Sequence, residues 1–67
     1  MKEMIIQNIL KESKRAFVQG MRNFRAYGKE FRIENVCENE YRCTTVDGTD
    51  AGIRLYSNGE FVHAALI

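Results

Sequence analysis

Proline and tryptophan are absent from this 67-residue chain, histidine occurs once and cysteine twice. Long apolar runs are missing too. A membrane-spanning helix needs about 18 to 20 consecutive apolar residues, and nothing here approaches that length. The stretch Met1–Leu10 is interrupted by Gln7 and Asn8 and followed at once by charge. It lacks the apolar centre and the small-residue cleavage site of a secretory signal. The expected location is therefore cytoplasmic (intracellular), with Cys37 and Cys43 kept reduced. Two cysteines and His63 fall short of the four ligands of a structural zinc site within one chain, which leaves such a site only to a dimer that shares it. Asp47-Gly48-Thr49-Asp50 offers two carboxylates, too few for calcium, and reads as a turn. The five glycines, at 20, 28, 48, 52 and 59, stand singly, so no phosphate-cradling loop is present. Neither metal, cofactor nor small-molecule substrate is expected, and no membrane partner.

What is present is enough for one small domain, with 45% hydrophobic residues. A core this small is marginal, which makes a homodimer one expected source of support. Ile6, Leu10, Phe17, Met21 and Phe24, with Ile9, Ser13, Ala16 and Gly20 between them, fall on one side at about 100° per residue. This spacing predicts one helix over about 3–27, with Gly28 as its stop. Gly20 is its weak point, since a glycine inside a helix costs about 1 kcal/mol relative to alanine.

From Lys29 the period becomes two. Strands are expected over about 30–36, 41–46, 51–56 and 61–66, separated by turns at Glu38-Asn39-Glu40, Asp47–Asp50 and Ser57–Glu60. Asn58-Gly59 reads as a two-residue type I′ turn, which would pair Tyr56 with Phe61, Leu55 with Val62, Arg54 with His63, Ile53 with Ala64 and Ala51 with Leu66. Leu55, Val62, Ile53, Ala64, Ala51 and Leu66 then share one face, with Phe31, Ile33, Tyr41 and Cys43 as candidates for the same side. The expected fold is α+β: one N-terminal amphipathic helix packed on one face of a three- to four-stranded antiparallel β-meander. Its size and layout resemble small phage and mobile-element proteins that inhibit or redirect a host complex, a resemblance of scale and architecture that no motif carries.

The net charge of +1 conceals an asymmetry. Residues 1–33 carry eight Lys/Arg against three acids, a net +5, whereas residues 34–67 carry two against six, a net −4. On the expected helix, Lys11, Lys14, Arg15, Arg22 and Arg25 project within a wedge of about 100° opposite the apolar side, and Lys29 extends it. Like-charged pairs such as Lys11/Arg15 cost a few tenths of a kcal/mol, so a face chosen for solubility alone would mix signs. The stripe points to an acidic protein surface or to nucleic acid. Asn8, Gln19 and Asn23 flank it as potential readers of base edges, while Phe17 and Phe24 face the core and are not available to stack bases.

The second candidate surface is the sheet face away from the helix, expected to gather Arg54, His63, Tyr56 and Phe61, joined by Arg42 and Arg32 with Ile67 at one end. Arginine and aromatic residues together have the composition of an interaction hot spot or of a dimer face, and strand four adds an edge for self-pairing. A remote enzymatic reading would use His63 as general base, Arg54 for charge on phosphorus, and Glu60 or Tyr56 nearby, in a small ribonuclease. The cysteines have no second histidine to activate them and read as inert thiols. The expected function is that of a non-enzymatic binding or regulatory protein, an inhibitor or adaptor of a macromolecular partner.

Overall fold

The computed structural model describes residues 2–67. Helix α1 spans Lys2–Val18. Its 100° spacing turns Ile9, Leu10, Ser13, Ala16 and Phe17 toward the sheet. Ser13 sits at the centre of that stripe, fully buried, and donates its Oγ hydrogen to the Leu10 carbonyl at 2.6 Å.

The helix stops well short of residue 27. Gly20 has φ +81°, its N–H donates to the Phe17 carbonyl at 3.0 Å, and the Met21 N–H donates to the Ala16 carbonyl at 2.9 Å. These two bonds form a Schellman motif, which satisfies two of the end carbonyls and requires a left-handed residue that glycine supplies without steric penalty. The expectation of one helix over 3–27 is thereby corrected: Gly20 terminates it.

The released segment becomes a strand. β1 (Asn23–Ala26) buries Phe24 and Ala26 and exposes Asn23 and Arg25. It pairs with β2 (Lys29–Cys37), and Ala26 opposite Lys29 closes a two-residue turn of Tyr27 and Gly28, both left-handed at φ +51° and +72°. That is the type I′ geometry which fits the twist of a hairpin. β3 (Glu40–Thr45), β4 (Asp50–Ser57) and β5 (Val62–Leu66) continue the meander. The sheet thus has five antiparallel strands in chain order, not three or four.

Register irregularities between Asn35 and Cys37 and between Arg42 and Thr44 interrupt the ladders. Bulges of this kind bend strands and increase their twist. The sheet curls so that α1 packs against β1 and β5, the two outermost strands. Inside the curl, Phe24 stacks on Phe31 with ring centroids 5.1 Å apart, and Phe17 meets Tyr41 at 4.6 Å. Cys43, Ile53 and Leu55 complete the most deeply buried part of the core. Phe31, Ile33 and Cys43 lie buried on the expected side, with Tyr41 half-buried beside them.

The β4–β5 register differs from the expected one by two residues. Tyr56 pairs with His63, Leu55 with Ala64, Arg54 with Ala65 and Ile53 with Leu66. The cause is the Asn58 side chain. Its Oδ1 accepts the N–H groups of Glu60 at 3.0 Å and Phe61 at 2.9 Å, and the Asn58 N–H donates to the Phe61 carbonyl at 3.3 Å. The loop is therefore Asn58–Phe61, four residues long. A two-residue I′ turn needs a left-handed Asn58, and the left-handed non-glycine residues are Tyr27 and Asn39. A slip of two leaves every side chain on its expected face.

Candidate functional site

With α1 ending at Val18, the basic stripe is carried by three different pieces of structure. Lys11, Lys14 and Arg15 occupy the solvent face of the helix. Lys11 and Lys14 belong to none of the ion pairs among the described residues, and Arg15 reaches Glu12 only at 3.8 Å in an exposed pair. Contacts of that kind contribute little in water. Arg25 stands on β1, 3.8 Å from Glu30 and equally exposed. It converges with Arg15, Gln19 and Met21 on a groove of about 210 Å³ between the end of α1 and β1. The two ends of the stripe therefore meet through the fold rather than along one helix.

Arg22 has a different task. Its guanidinium lies 4.6 Å from the Phe17 ring centre and 5.4 Å from that of Tyr41, and Nη1 donates to the Met21 carbonyl at 2.9 Å. A cation over aromatic faces at the helix C-terminus seals the core and complements the helix dipole. Lys29 begins β2, beside the Tyr27-Gly28 turn and away from the helix face.

The outer sheet face gathers most of the residues expected there. Arg32, Arg42, Arg54, Tyr56 and His63 share it by register. Its arginines are largely occupied. Arg42 donates to Glu34 Oε2 from Nε at 3.3 Å and from Nη2 at 3.2 Å, and the buried Thr44 hydroxyl donates to Glu34 Oε1 at 3.4 Å. Arg54, with a side chain only 16% exposed, forks onto Asp50 at 2.8 and 3.1 Å and approaches Glu40 at 4.0 Å. The Arg54 guanidinium, helped by the Gly52 N–H, holds the Asp50 carboxyl down at about 2. Arg42 thereby ties β3 to β2, whereas the close pair of Arg54 lies within β4 and only its 4.0 Å approach to Glu40 reaches β3.

His63 stands opposite Tyr56, their ring centres 6.4 Å apart, and not opposite Arg54 as the shorter turn required. The cross-strand His63–Arg54 pairing of the ribonuclease reading is therefore not formed. Phe61 lies exposed in the loop. Tyr56, Phe61 and His63 line a shallow groove of about 240 Å³ together with Glu38 and Glu40. Carboxylates beside these rings make the groove acidic, a setting that disfavours phosphate.

The cysteines occupy opposite environments. Cys43 is fully buried, and burial pushes its thiol up to about 11 against the effect of the Ser13 hydroxyl. Cys37 is exposed, and desolvation followed by the charge of Glu40 raises its thiol above the ordinary value. Neither is an activated nucleophile. Among the described residues no three His, Cys, Asp or Glu side chains are gathered where they would hold a metal ion. No helix among them is long and apolar enough to cross a membrane.

The helix also leaves a space that its apolar spacing does not predict. Burial along α1 falls from Ser13, Ala16 and Phe17 at one end to exposed Met4, Ile5 and Ile6 at the other. The N-terminal half of the helix stands off the sheet and leaves an apolar cleft of about 390 Å³. Ile6 and Ile9 both read as core residues from their spacing; Ile9 is half-buried against the core, Ile6 is exposed, and both line the cleft. Comparison with known proteins gives no further guide, since no family model, curated protein or solved structure matches the chain significantly.

Proposed function

We propose that the protein is a non-enzymatic binding module that docks on an acidic protein surface through the solvent face of α1 and the adjoining groove at β1. The observation that carries this reading is the unequal use of positive charge. Arg42 and Arg54 are neutralised within the sheet by Glu34, Asp50 and Glu40, whereas Lys11 and Lys14 have no acidic partner within 4.0 Å among the described residues. Arg15 and Arg25, each 68% exposed, join them across the groove they share with Gln19, their charge offset in part by Glu12, which lines the same groove, and by Glu30, each at 3.8 Å. Uncompensated charge of one sign speeds encounter with an oppositely charged surface and excludes like-charged competitors.

A protein fits better than nucleic acid. Three of the exposed aromatic groups that could stack bases, Tyr56, Phe61 and His63, sit beside Glu38 and Glu40 and not beside the cations of α1. An inhibitor or adaptor of a macromolecular complex is the corresponding role.

The test is capture of partners, identified by mass spectrometry, with the parent protein and with a Lys11→Glu, Lys14→Glu, Arg15→Glu variant. Circular dichroism establishes that the variant is folded. A defined partner is expected with the parent and lost with the variant. Undiminished capture refutes the basic face as the contact. Retention on generic DNA and RNA is measured in parallel from about 50 to 200 mM salt. Strong retention that falls steeply over that range and disappears in the variant transfers the face to nucleic acid.

A further inference from the structure

We propose that the cleft between the N-terminal half of α1 and the sheet is a binding site for a medium-chain apolar carboxylate. The site goes beyond the docking face above and does not depend on it. Its volume of about 390 Å³ falls within the roughly 300 to 1,000 Å³ of small-molecule sites. Phe31 and Ile53, 4% and 2% exposed, form a rigid floor with Ala26 and Ala51. The two alanines are why there is room, since a larger side chain at either would fill the space. Ile5, Ile6 and Leu66 form the walls and remain 39%, 40% and 47% exposed. Apolar surface of this kind leaves water only when something occupies the cleft.

The head group follows from the mouth. Among the described residues Lys29 is the sole charged residue lining the cleft, and it belongs to no ion pair there. The nearby turn holds two acids, both already engaged. Asp47 accepts the Thr45 hydroxyl and the Thr49 N–H, and Asp50 accepts Arg54 and the Gly52 N–H. Arg54 neutralises Asp50, while Asp47 keeps its charge but does not line the cleft, so among the described residues the charge that a head group meets at the mouth is that of Lys29, which suits an anion.

Tyr27 is the second observation. It lines the mouth in a left-handed conformation, φ +51°, at a turn position that asparagine, aspartate or glycine fills with less strain. Strain retained at such a place is characteristic of functional residues. Tyr27 thereby lines the same mouth as Lys29, which brings a residue with a phenol and one with an ammonium to one end of the cleft.

The experiment is an amide NMR titration of the full chain with hexanoate, octanoate and decanoate, with octanol as the uncharged comparison. Saturable shifts are expected at cleft residues such as Ile6, Ala26 and Ala51, with affinity rising about fourfold per added methylene. Octanoate should bind better than octanol. Lys29→Gln should weaken octanoate roughly threefold and erase that preference, leaving octanol unchanged. Ala51→Leu should remove binding of both without lowering the melting temperature. Tyr27→Asn should weaken octanoate while raising the melting temperature, whereas a purely structural Tyr27 would move the temperature alone. The absence of saturable shifts by about 1 mM decanoate overturns the proposal. So does equal affinity for octanol and octanoate. Sedimentation tests the other occupant: a dimer that covers the cleft and excludes decanoate overturns the proposal in favour of a second copy of the chain.

Discussion

Replacing Gly20 by alanine separates two accounts of the first 28 residues by the sign of one free energy. Were residues 3–27 a single helix, Gly20→Ala would remove an interior glycine and stabilise the protein by about 1 kcal/mol. In the observed structure Gly20 is the left-handed residue of a Schellman motif, φ +81°, with no atom within 4 Å of an added Cβ. The side chain therefore meets no clash, and the cost is that of the backbone conformation alone, about 1 to 2 kcal/mol. For a domain of this size about 1 kcal/mol lowers the melting temperature by roughly 4 to 8 °C. Urea unfolding followed by circular dichroism is the assay, with an unchanged slope showing that the native and denatured states are otherwise preserved. A chain this short is accessible to chemical synthesis, and D-alanine at position 20 supplies the converse. It favours the left-handed region and narrows the unfolded ensemble, so it should stabilise by roughly 0.4 to 1 kcal/mol. A more stable L-alanine variant, or a destabilised D-alanine variant, would refute the helix stop and with it the separation of Arg22 and Arg25 from the helix face.

Acid sensitivity should trace in part to the Asp50–Arg54 pair. Asp50 titrates lower in the folded protein, about 2 against an ordinary 3.8, so its contribution is complete above the ordinary value and is lost as the pH falls from there through the folded value. Melting temperature measured against pH should fall across that window, and Asp50→Asn should flatten the fall; an unaltered acid limb would show that Asp50 is not linked to folding. The two thiols should separate under a thiol-specific reagent. Exposed Cys37 reacts in the native protein, slowly because desolvation and then the charges of Glu40 and Glu38 disfavour its thiolate, while buried Cys43 reacts only on unfolding. Equal native rates for both thiols would contradict the packing around Ser13.

Alternation with a period of two is a local property, and it placed four strands within one residue of their observed ends, from Lys29–Cys37 to Val62–Leu66. The strand Asn23–Ala26 stayed hidden because Phe17, Met21 and Phe24 satisfy a helical spacing while Phe24 and Ala26 satisfy an extended one. Four residues do not decide between the two. The signal that would have found it is Tyr27-Gly28 read as a turn, which competes with Gly28 read as a helix stop. The β4–β5 faces were legible and the register was not, because two hydrogen bonds to the Asn58 side chain lengthen the loop by two residues without exchanging faces.

Composition and periodicity by themselves determined that the chain is α+β, which side of each late strand meets the helix, and that cations gather in the first half and acids in the second. These depend on side chains a few residues apart, whose relation the local backbone sets. Tertiary structure alone decided which charges remain available. Glu34, Glu40 and Asp50 neutralise Arg42 and Arg54 within the curled sheet, and Arg22 is held over Phe17 and Tyr41. It also decided that Ile5 and Ile6 line a cleft and do not fill a core. Strand register and helix tilt couple residues far apart in the chain, and no local period carries that information.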